Sequence, residues 1–290
     1  MIWRLPRHEF DLSSKGLIVG IVNVTPDSFS DGGSFFDPDA ACSHGVRLIE
    51  EGADLLDLGA ESTRPGSLPI SAEEEIARLL PVIQSLRAKT PAPLSIDTSK
   101  SSVAAAALEA GADIINDVTA LSDPLMGPLV ASHRAGLILM HMQGTPENMQ
   151  QNPTYPNDDV VAAVAKFLSE RRAIAISYGV DSAAIILDPG LGFGKTVSHN
   201  MVLLRGIPAL AGLGSPLMIG YSRKSFLSSI VGNSNPQDRL SPALAITSLA
   251  RVEGARLFRV HESRQHREAL LMTESICTMT PPSCVTEALL

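Results

Sequence analysis

The chain has 290 residues, of which 44% are hydrophobic and 19% charged, and a net charge of −8. That length suits one α/β barrel or two smaller domains, and the acidic balance argues against general binding to nucleic acid or to anionic membranes. Three scattered cysteines (Cys42, Cys277, Cys284) make neither a disulfide framework nor a metal-type spacing. With no apolar run near the ~20 residues of a membrane span and no apolar signal segment in residues 1–14, a cytoplasmic protein is expected.

Residues 3–12 alternate loosely, as a short hairpin or cap ahead of the core would. Residues 17–24 are almost continuously apolar, broken only by Gly20 and Asn23, the pattern of a strand buried on both faces. Asn23 is awkward there. A buried amide without partners costs about 1–3 kcal/mol, so it is either tied to backbone or aimed at a ligand. Asp37 and Pro38 suit a helix start and Gly52 its end. Residues 54–60 read as a strand. Ser71 and Glu74 have capping-box spacing ahead of a helix that carries Ile76, Leu79, Leu80, Ile83 and Leu86.

The alternation continues with strand 93–97, an Ala-rich helix 101–110, strand 114–118, helix 124–134 and strand 137–141. A Pro-containing loop then leads to helix 158–178 and strand 185–188. A Gly-rich loop precedes helix 200–211, followed by strand 217–221, helices 224–231 and 242–252, strand 257–260 and a last helix 265–276. The tail from 278, with Pro281 and Pro282, is expected to fray.

These are eight strand-then-helix units, with Gly-Ala-Asp or Gly-Ala-Arg repeated at helix-to-strand junctions near 52, 111 and 254. Strict alternation implies a parallel sheet, and eight units imply a (β/α)₈ TIM barrel with its site at the C-terminal strand ends. One barrel over 16–277, an N-terminal hairpin-like extension over 1–15 and a tail over 278–290 are expected. A doubly wound open sheet is the alternative, but the first βα turn has no Gly-x-Gly-x-x-Gly.

In a barrel the polar residues that end each strand share one mouth: Asn23, Glu61 to Arg64, Asp97, Asn116 and Asp117, His141, Asp188, Ser222 to Lys224, and Arg259 with His261. Singly, each has a bland reading: Asp97 as a helix cap, Asp188 as the partner of its own loop, Lys224 as a helix-surface residue. As a set they exceed what a barrel interior needs, since its layers are normally aliphatic. Asp97, Asn116 and Asp188 suit the N–H and C=O edge of a planar heterocycle. Arg64, Lys224, Arg259 and His261 form a cationic cluster for an anion, and Arg259 can stack on a ring. The Gly-rich loop 188–195 looks like a phosphate cradle but departs from the G-x-x-x-x-G-K-[ST] spacing. The helix start after Ser222 is an anion site.

The stretch Asn23-Val-Thr-Pro-Asp-Ser-Phe-Ser-Asp-Gly-Gly33 resembles the first signature of the dihydropteroate synthase family. Gly59 to Gly66, Ser95 to Ser99, Ile115 to Asp117, Leu187 to Gly190 with Gly192 to Lys195, Ser222 to Ser225, and Arg259 to His261 are similar to its other motifs, in the family's order. The resemblance covers 16–269 and implies a (β/α)₈ transferase of folate biosynthesis. Such an enzyme joins 6-hydroxymethyl-7,8-dihydropterin diphosphate to p-aminobenzoate and releases diphosphate, with Mg²⁺ present. It implies that Asp97, Asn116, Asp188, Lys224 and Arg259 hold the pterin, and that Asn23, Thr63, Arg64, Arg259 and His261 surround the diphosphate. Asn23 then touches Mg²⁺. Ser222, Lys224, Phe29, Pro65 and Phe193 lie around the aminobenzoate, and Asp97, Lys224 and Arg259 are the catalytic set. In the family the C–O bond largely breaks before the amine attacks, and Asp97 suits the resulting cation. Loops 25–33 and 62–68 are expected to close as lids. The resemblance also implies a homodimer and competition by sulfonamides. Glu262-Ser263 departs from the family's Asp-Val, keeping the charge on a longer arm.

Two rivals stand beside this reading. A corrinoid-linked methyltransferase shares the pterin barrel, but the chain has no D-x-H-x-x-G, and Ser62 to Gly66 favours the synthase. A non-catalytic pterin-binding paralogue would lack the diphosphate residues, and Asn23, Thr63, Arg64 and His261 are in place.

Overall fold

Period-two alternation along eight parallel strands decides which side chains enter the barrel. A computed structural model describes residues 1–25, 37–63, 66–232 and 235–278. The chain opens with an antiparallel hairpin, β1 (Ile2–Arg4) and β2 (Glu9–Asp11). The barrel strands follow: β3 (Leu17–Asn23), β4 (Leu55–Gly59), β5 (Leu94–Asp97), β6 (Ile114–Asp117), β7 (Gly136–Met140), β8 (Ile185–Asp188), β9 (Met218–Gly220) and β10 (Leu257–Val260). All neighbours pair in parallel in the order β8-β7-β6-β5-β4-β3-β10-β9. A parallel bridge from Leu187 of β8 to Leu217, just ahead of β9, closes the ring. This is the (β/α)₈ TIM barrel expected from the alternation.

The helices are α1 (Pro38–Glu50), α2 (Ala72–Lys89), α3 (Ser101–Glu109), α4 (Met126–His133), α5 (Val160–Ser177), α6 (Val197–Arg205), α7 (Ile207–Ala211), α8 (Ser225–Val231), α9 (Leu240–Val252) and α10 (Ser263–Thr278). Local chemistry sets their ends. The Asp37 carboxylate accepts from the Asp39 and Ala40 amides ahead of Pro38. Ser71 caps α2 by accepting from Glu74 N at 3.2 Å. The reciprocal half of the box does not form, because Glu74 turns to Arg78 one turn on. The region expected as one helix over 200–211 is two. α6 starts earlier, at a capping box of Thr196 and His199. It stops at Gly206, where a Cβ would lie 2.7 Å from Val161 of α5, and Pro208 opens α7 without needing an amide partner. α10 runs on to Thr278, and residues 279–290 of the expected tail lie outside the described residues.

Two apolar clusters divide along the strands. Ile18, Val22, Leu56, Leu58, Ile96 and their counterparts meet the helices. Leu17, Val19, Leu55, Ile114, Ile138, Ile186, Met218 and Leu257 point inward and meet Trp3, Leu5 and Leu12. The hairpin is therefore a plug across the N-terminal end of the barrel. Trp3 is fully buried and donates its indole N–H to Ala184 O at 3.2 Å. Burying its ring stabilises the plug by about 3 kcal/mol or more. Among the described residues no helix is long and apolar enough to cross a membrane.

Candidate active site

The strands that carry inward aliphatics near the plug carry inward polar groups two residues further along. In β4, Leu55 is followed by Asp57 and Gly59. In β5, β6 and β8 the inward residues are Ser95 and Asp97, Ile114 and Asn116, Ile186 and Asp188. Arg259 enters from β10 two residues after Leu257. Five strands thus aim ionic or amide groups at one mouth.

Arg259 is the hub. Its Nε donates to Asp57 Oδ2 at 2.6 Å and its Nη2 to Asp97 Oδ2 at 2.9 Å. Guanidinium N–H bonds lie in the plane of the group, so both carboxylates grip its edge and leave its face for stacking. Burial opposes its charge, but Asp57, Asp97 and Asp188 outweigh that and push its pKa up. Asp57 also accepts from Ser95 Oγ at 2.6 Å and Asn116 Nδ2 at 3.1 Å. Asn116 Oδ1 is buried and has no hydrogen-bond partner among the described residues. A buried carbonyl left unpaired is costly, which makes it a ready acceptor for an N–H donor entering the mouth.

Asp188 and Lys224 complete the floor. Asp188 Oδ1 accepts from Gly190 N at 2.7 Å. Burial pushes its pKa up, against the pull of Lys224. Burial also brings Lys224 down to about 7, countered by Asp188. Asp97 is raised to about 7 by burial, with Arg259 pulling the other way and Asp57 adding repulsion. A carboxylate and an ammonium both displaced toward neutrality in one cleft mark a working site. A Cβ on Gly220 would sit 3.7 Å from Arg259 and 3.9 Å from Asp188 Oδ2, so the missing side chain keeps the floor open between them.

The Gly-rich turn 190–194 turns its carbonyls to donors, two of them lysines, rather than its amides to an anion. Its five carbonyls accept, in order, from Phe193 N, Lys224 Nζ, Gln150 Nε2, Lys195 Nζ and Tyr155 Oη. Its Gly192 amide is spent on Asn200 Oδ1 at 2.7 Å. Gly190 and Gly194 have φ of +65° and +66°, and a Cβ on them would lie 2.0 Å from His141 O and 2.4 Å from Gln143 O. A phosphate cradle needs free amides, and this turn offers Lys224 a carbonyl and, 4.4 Å from its Nζ, the Phe193 ring.

At the rim, Ser222 Oγ lies 2.9 Å from His261 Nδ1, accepts from His261 N at 3.3 Å and donates to Glu262 Oε2 at 3.3 Å. Glu262 also takes Arg223 Nε at 2.7 Å. The longer acidic arm after His261 thus ties the ends of β9 and β10 together. Asn23 ends β3 half-buried beside Gly59, and Thr63 is half-buried after β4. Phe29, Arg64 and Pro65 lie outside the described residues, as do residues 26–33 of the first expected lid, whereas the second lacks only 64 and 65. Among the described residues no group of three or more His, Cys, Asp or Glu could hold a metal. The Asn23 amide is a single hard oxygen donor, which fits an ion that shares its shell with substrate phosphates and water rather than a protein cage.

Two strand-end residues have the bland role. Asp117 accepts from Thr119 N and Oγ1 and from Leu121 N, so it shapes its own loop. Glu61 pairs with Lys100 at 2.9 Å and takes Ile70 N at 2.9 Å. Asp57 was not among the sequence candidates, because it sits inside a strand rather than at its end. Its signal was a charged residue in an otherwise apolar run, two positions before Gly59.

A family model described as "Pterin binding enzyme" matches residues 19–261. The dihydropteroate synthase of Neisseria meningitidis serogroup B is 45% identical over 283 residues, covering 95% of this chain and 97% of that one. A solved Yersinia pestis dihydropteroate synthase with a sulfonamide drug complex superposes with a TM-score of 0.90 at 37% identity, covering 96% of this chain and 100% of that one. A Xanthomonas albilineans dihydropteroate synthase solved with 4-aminobenzoic acid gives 0.88 at 43% identity, over 96% and 99%.

Proposed function

The chain belongs to the dihydropteroate synthase family of pterin-binding enzymes, and from that premise we propose that its barrel mouth joins (7,8-dihydropterin-6-yl)methyl diphosphate to p-aminobenzoate. The observation that carries the reading is the convergence of Asp97, Asp188, Lys224 and Arg259 on one mouth with Asn116, whose Oδ1 has no partner among the described residues. Asn116 and Asp188 accept the N–H edge of the pterin, Lys224 donates to its carbonyl side, and the open face of Arg259 lies on the ring. Ser222, Lys224 and Phe193, with Phe29 and Pro65, bound the aminobenzoate. Asn23, Thr63, Arg64 and His261 receive the diphosphate.

The nucleophile is an aromatic amine and the leaving group is already activated, so the protein needs no nucleophilic side chain. It must align the methylene carbon between amine and diphosphate and meet the charges that develop. As the C–O bond breaks, the electron pair leaves with diphosphate and positive charge spreads over the pterin. Ionised Asp97 faces that charge. The amine then bonds to the methylene carbon and its proton passes to solvent or diphosphate. Arg259 and His261 hold the departing anion. Asn23 would hold Mg²⁺, which would supply further neutralisation of that anion.

The deciding experiment is a coupled assay of diphosphate release. Release that requires both substrates, and competition of sulfonamides with p-aminobenzoate alone, are expected. Release independent of the amine would overturn the reading. A cytoplasmic homodimer is the form we assign to the enzyme. Leu249 and Val252 of α9 and Leu271, Met272 and Ile276 of α10 are exposed on helices that pack together, an apolar surface that a second copy would cover. A monomeric mass in solution would remove that assignment.

A further inference from the structure

Lys195 is an expensive residue for its place. It is 3% exposed, and all three partners of its Nζ are uncharged: His141 Nδ1 at 2.9 Å, Phe193 O at 2.9 Å and His141 O at 3.3 Å. Burial presses hard against its charge and neighbouring Lys224 adds to that. An aliphatic side chain would fill the same space at no such cost. What only an amine provides is a set of donors that draw separate segments onto one point. Here they join the end of β7, through both the backbone and the ring of His141, to the Phe193 carbonyl of the Gly-rich turn.

The opposite side of that turn faces the reaction. Leu191 O accepts from Lys224 Nζ, and the Phe193 ring lies 4.4 Å from the same atom. Lys195 therefore holds the backbone of Phe193 while Lys224 rests on its side chain. Tyr155 and Gln150 pin the neighbouring carbonyls from the β7–α5 loop. His141 is itself anchored, donating its amide to Asp188 O at 3.0 Å and meeting Phe167 edge-on at 4.9 Å.

We propose that Lys195, acting with His141, is a positioning residue that sets the Gly190–Gly194 turn so that Leu191 O and the Phe193 ring place Lys224 for the p-aminobenzoate side of the site. The inference rests on the reading of Lys224 and Phe193 given above. Lys195 itself touches no substrate.

Steady-state kinetics with both substrates on the full chain test it. Lys195→Met is expected to raise KM for p-aminobenzoate about tenfold while KM for the dihydropterin diphosphate moves less than about twofold, because Phe193, whose backbone Lys195 holds, borders only the amine side, whereas the pterin keeps Asn116, Asp188 and Arg259 beside Lys224. An unchanged KM for p-aminobenzoate, or equal rises in both constants, would overturn the proposal. Should Lys195→Met fail to fold, His141→Leu and His141→Asn decide. The Asn carbonyl can replace Nδ1 as acceptor, so Asn should lie near wild type and Leu should show the p-aminobenzoate effect; two equal variants would overturn it. Lys224→Met is measured in parallel. If it leaves both KM values and kcat unaltered, the reading of the site fails and the inference with it. If it impairs the reaction and Lys195→Met does not, only the positioning role falls.

Discussion

The two ends of the barrel are built from the same eight strands and do opposite things. At the N-terminal end Leu17, Leu55, Ile114, Ile186 and Leu257 close on Trp3 and Leu12 of the hairpin. Two residues on, the same inward rows present Asp57, Asn116, Asp188 and Arg259, and Asp97 stands two after Ser95. One end is closed by apolar packing, with buried Asp113 at its margin paired to Arg7, so it contributes stability. The other keeps buried charges whose pKa values are displaced, so it costs stability and gains chemistry. The lesson is that a barrel separates the two tasks along its axis, within each strand, by distance from the plug.

The sharpest way to break this comparison is a change confined to the mouth. Asp97→Asn should lower turnover about a thousandfold, roughly 4 kcal/mol of transition-state stabilisation. It should not lower Tm. Because Asp97 is raised to about 7 in the fold, its ionisation burdens the native state, and that burden grows as pH rises from 3.8 through about 7. At pH 8 the Asn variant should therefore melt a few degrees higher than wild type. Activity within twofold of wild type would end the assignment of Asp97. The complementary change is Trp3→Ala, which should cost about 3–4 kcal/mol in denaturant unfolding and leave both KM values in place; altered KM values would show that the ends are not separate.

Smaller effects sharpen the picture of the mouth. The pH profile of kcat/KM should be a narrow bell near pH 7. Asp97 must be ionised, so activity falls as pH drops below about 7, and Lys224 must be protonated, so it falls again as pH rises above about 7. Lys224→Arg, whose side chain does not titrate in this range, should remove the alkaline limb while lowering the plateau; a profile flat from pH 5 to 9 in the wild type would contradict both roles. Smallest of all, Glu262→Gln should raise KM for p-aminobenzoate by about two- to fivefold, because the amide frees Arg223 and loosens Ser222. No change would make Glu262 a rim residue only.

Much of this was legible in the chain. Apolar runs, the Asp37–Pro38 and Ser71 helix starts and the recurring junction glycines depend on residues a few positions apart, so eight strand–helix units could be counted without coordinates. Given eight units, strand ends had to share a mouth, which singled out Asp97, Asn116, Asp188, Lys224 and Arg259. What lay beyond local pattern was pairing across the closed ring. Asp57 looks like a flaw in a strand until Arg259, 202 residues away, is seen to meet it at 2.6 Å. The turn 190–194 resembles a phosphate loop in sequence, and only its folded direction shows carbonyls turned to Lys224 and Lys195. Asp117 and Glu61 stand at strand ends like the others, and only their loop partners show them to be braces. By itself the sequence determined the barrel and the residue types at its mouth, since periodicity and capping act over a turn or two. The tertiary structure decided which of those groups meet and which way they face, because that depends on ring closure and on the desolvation of each charge beside its neighbours.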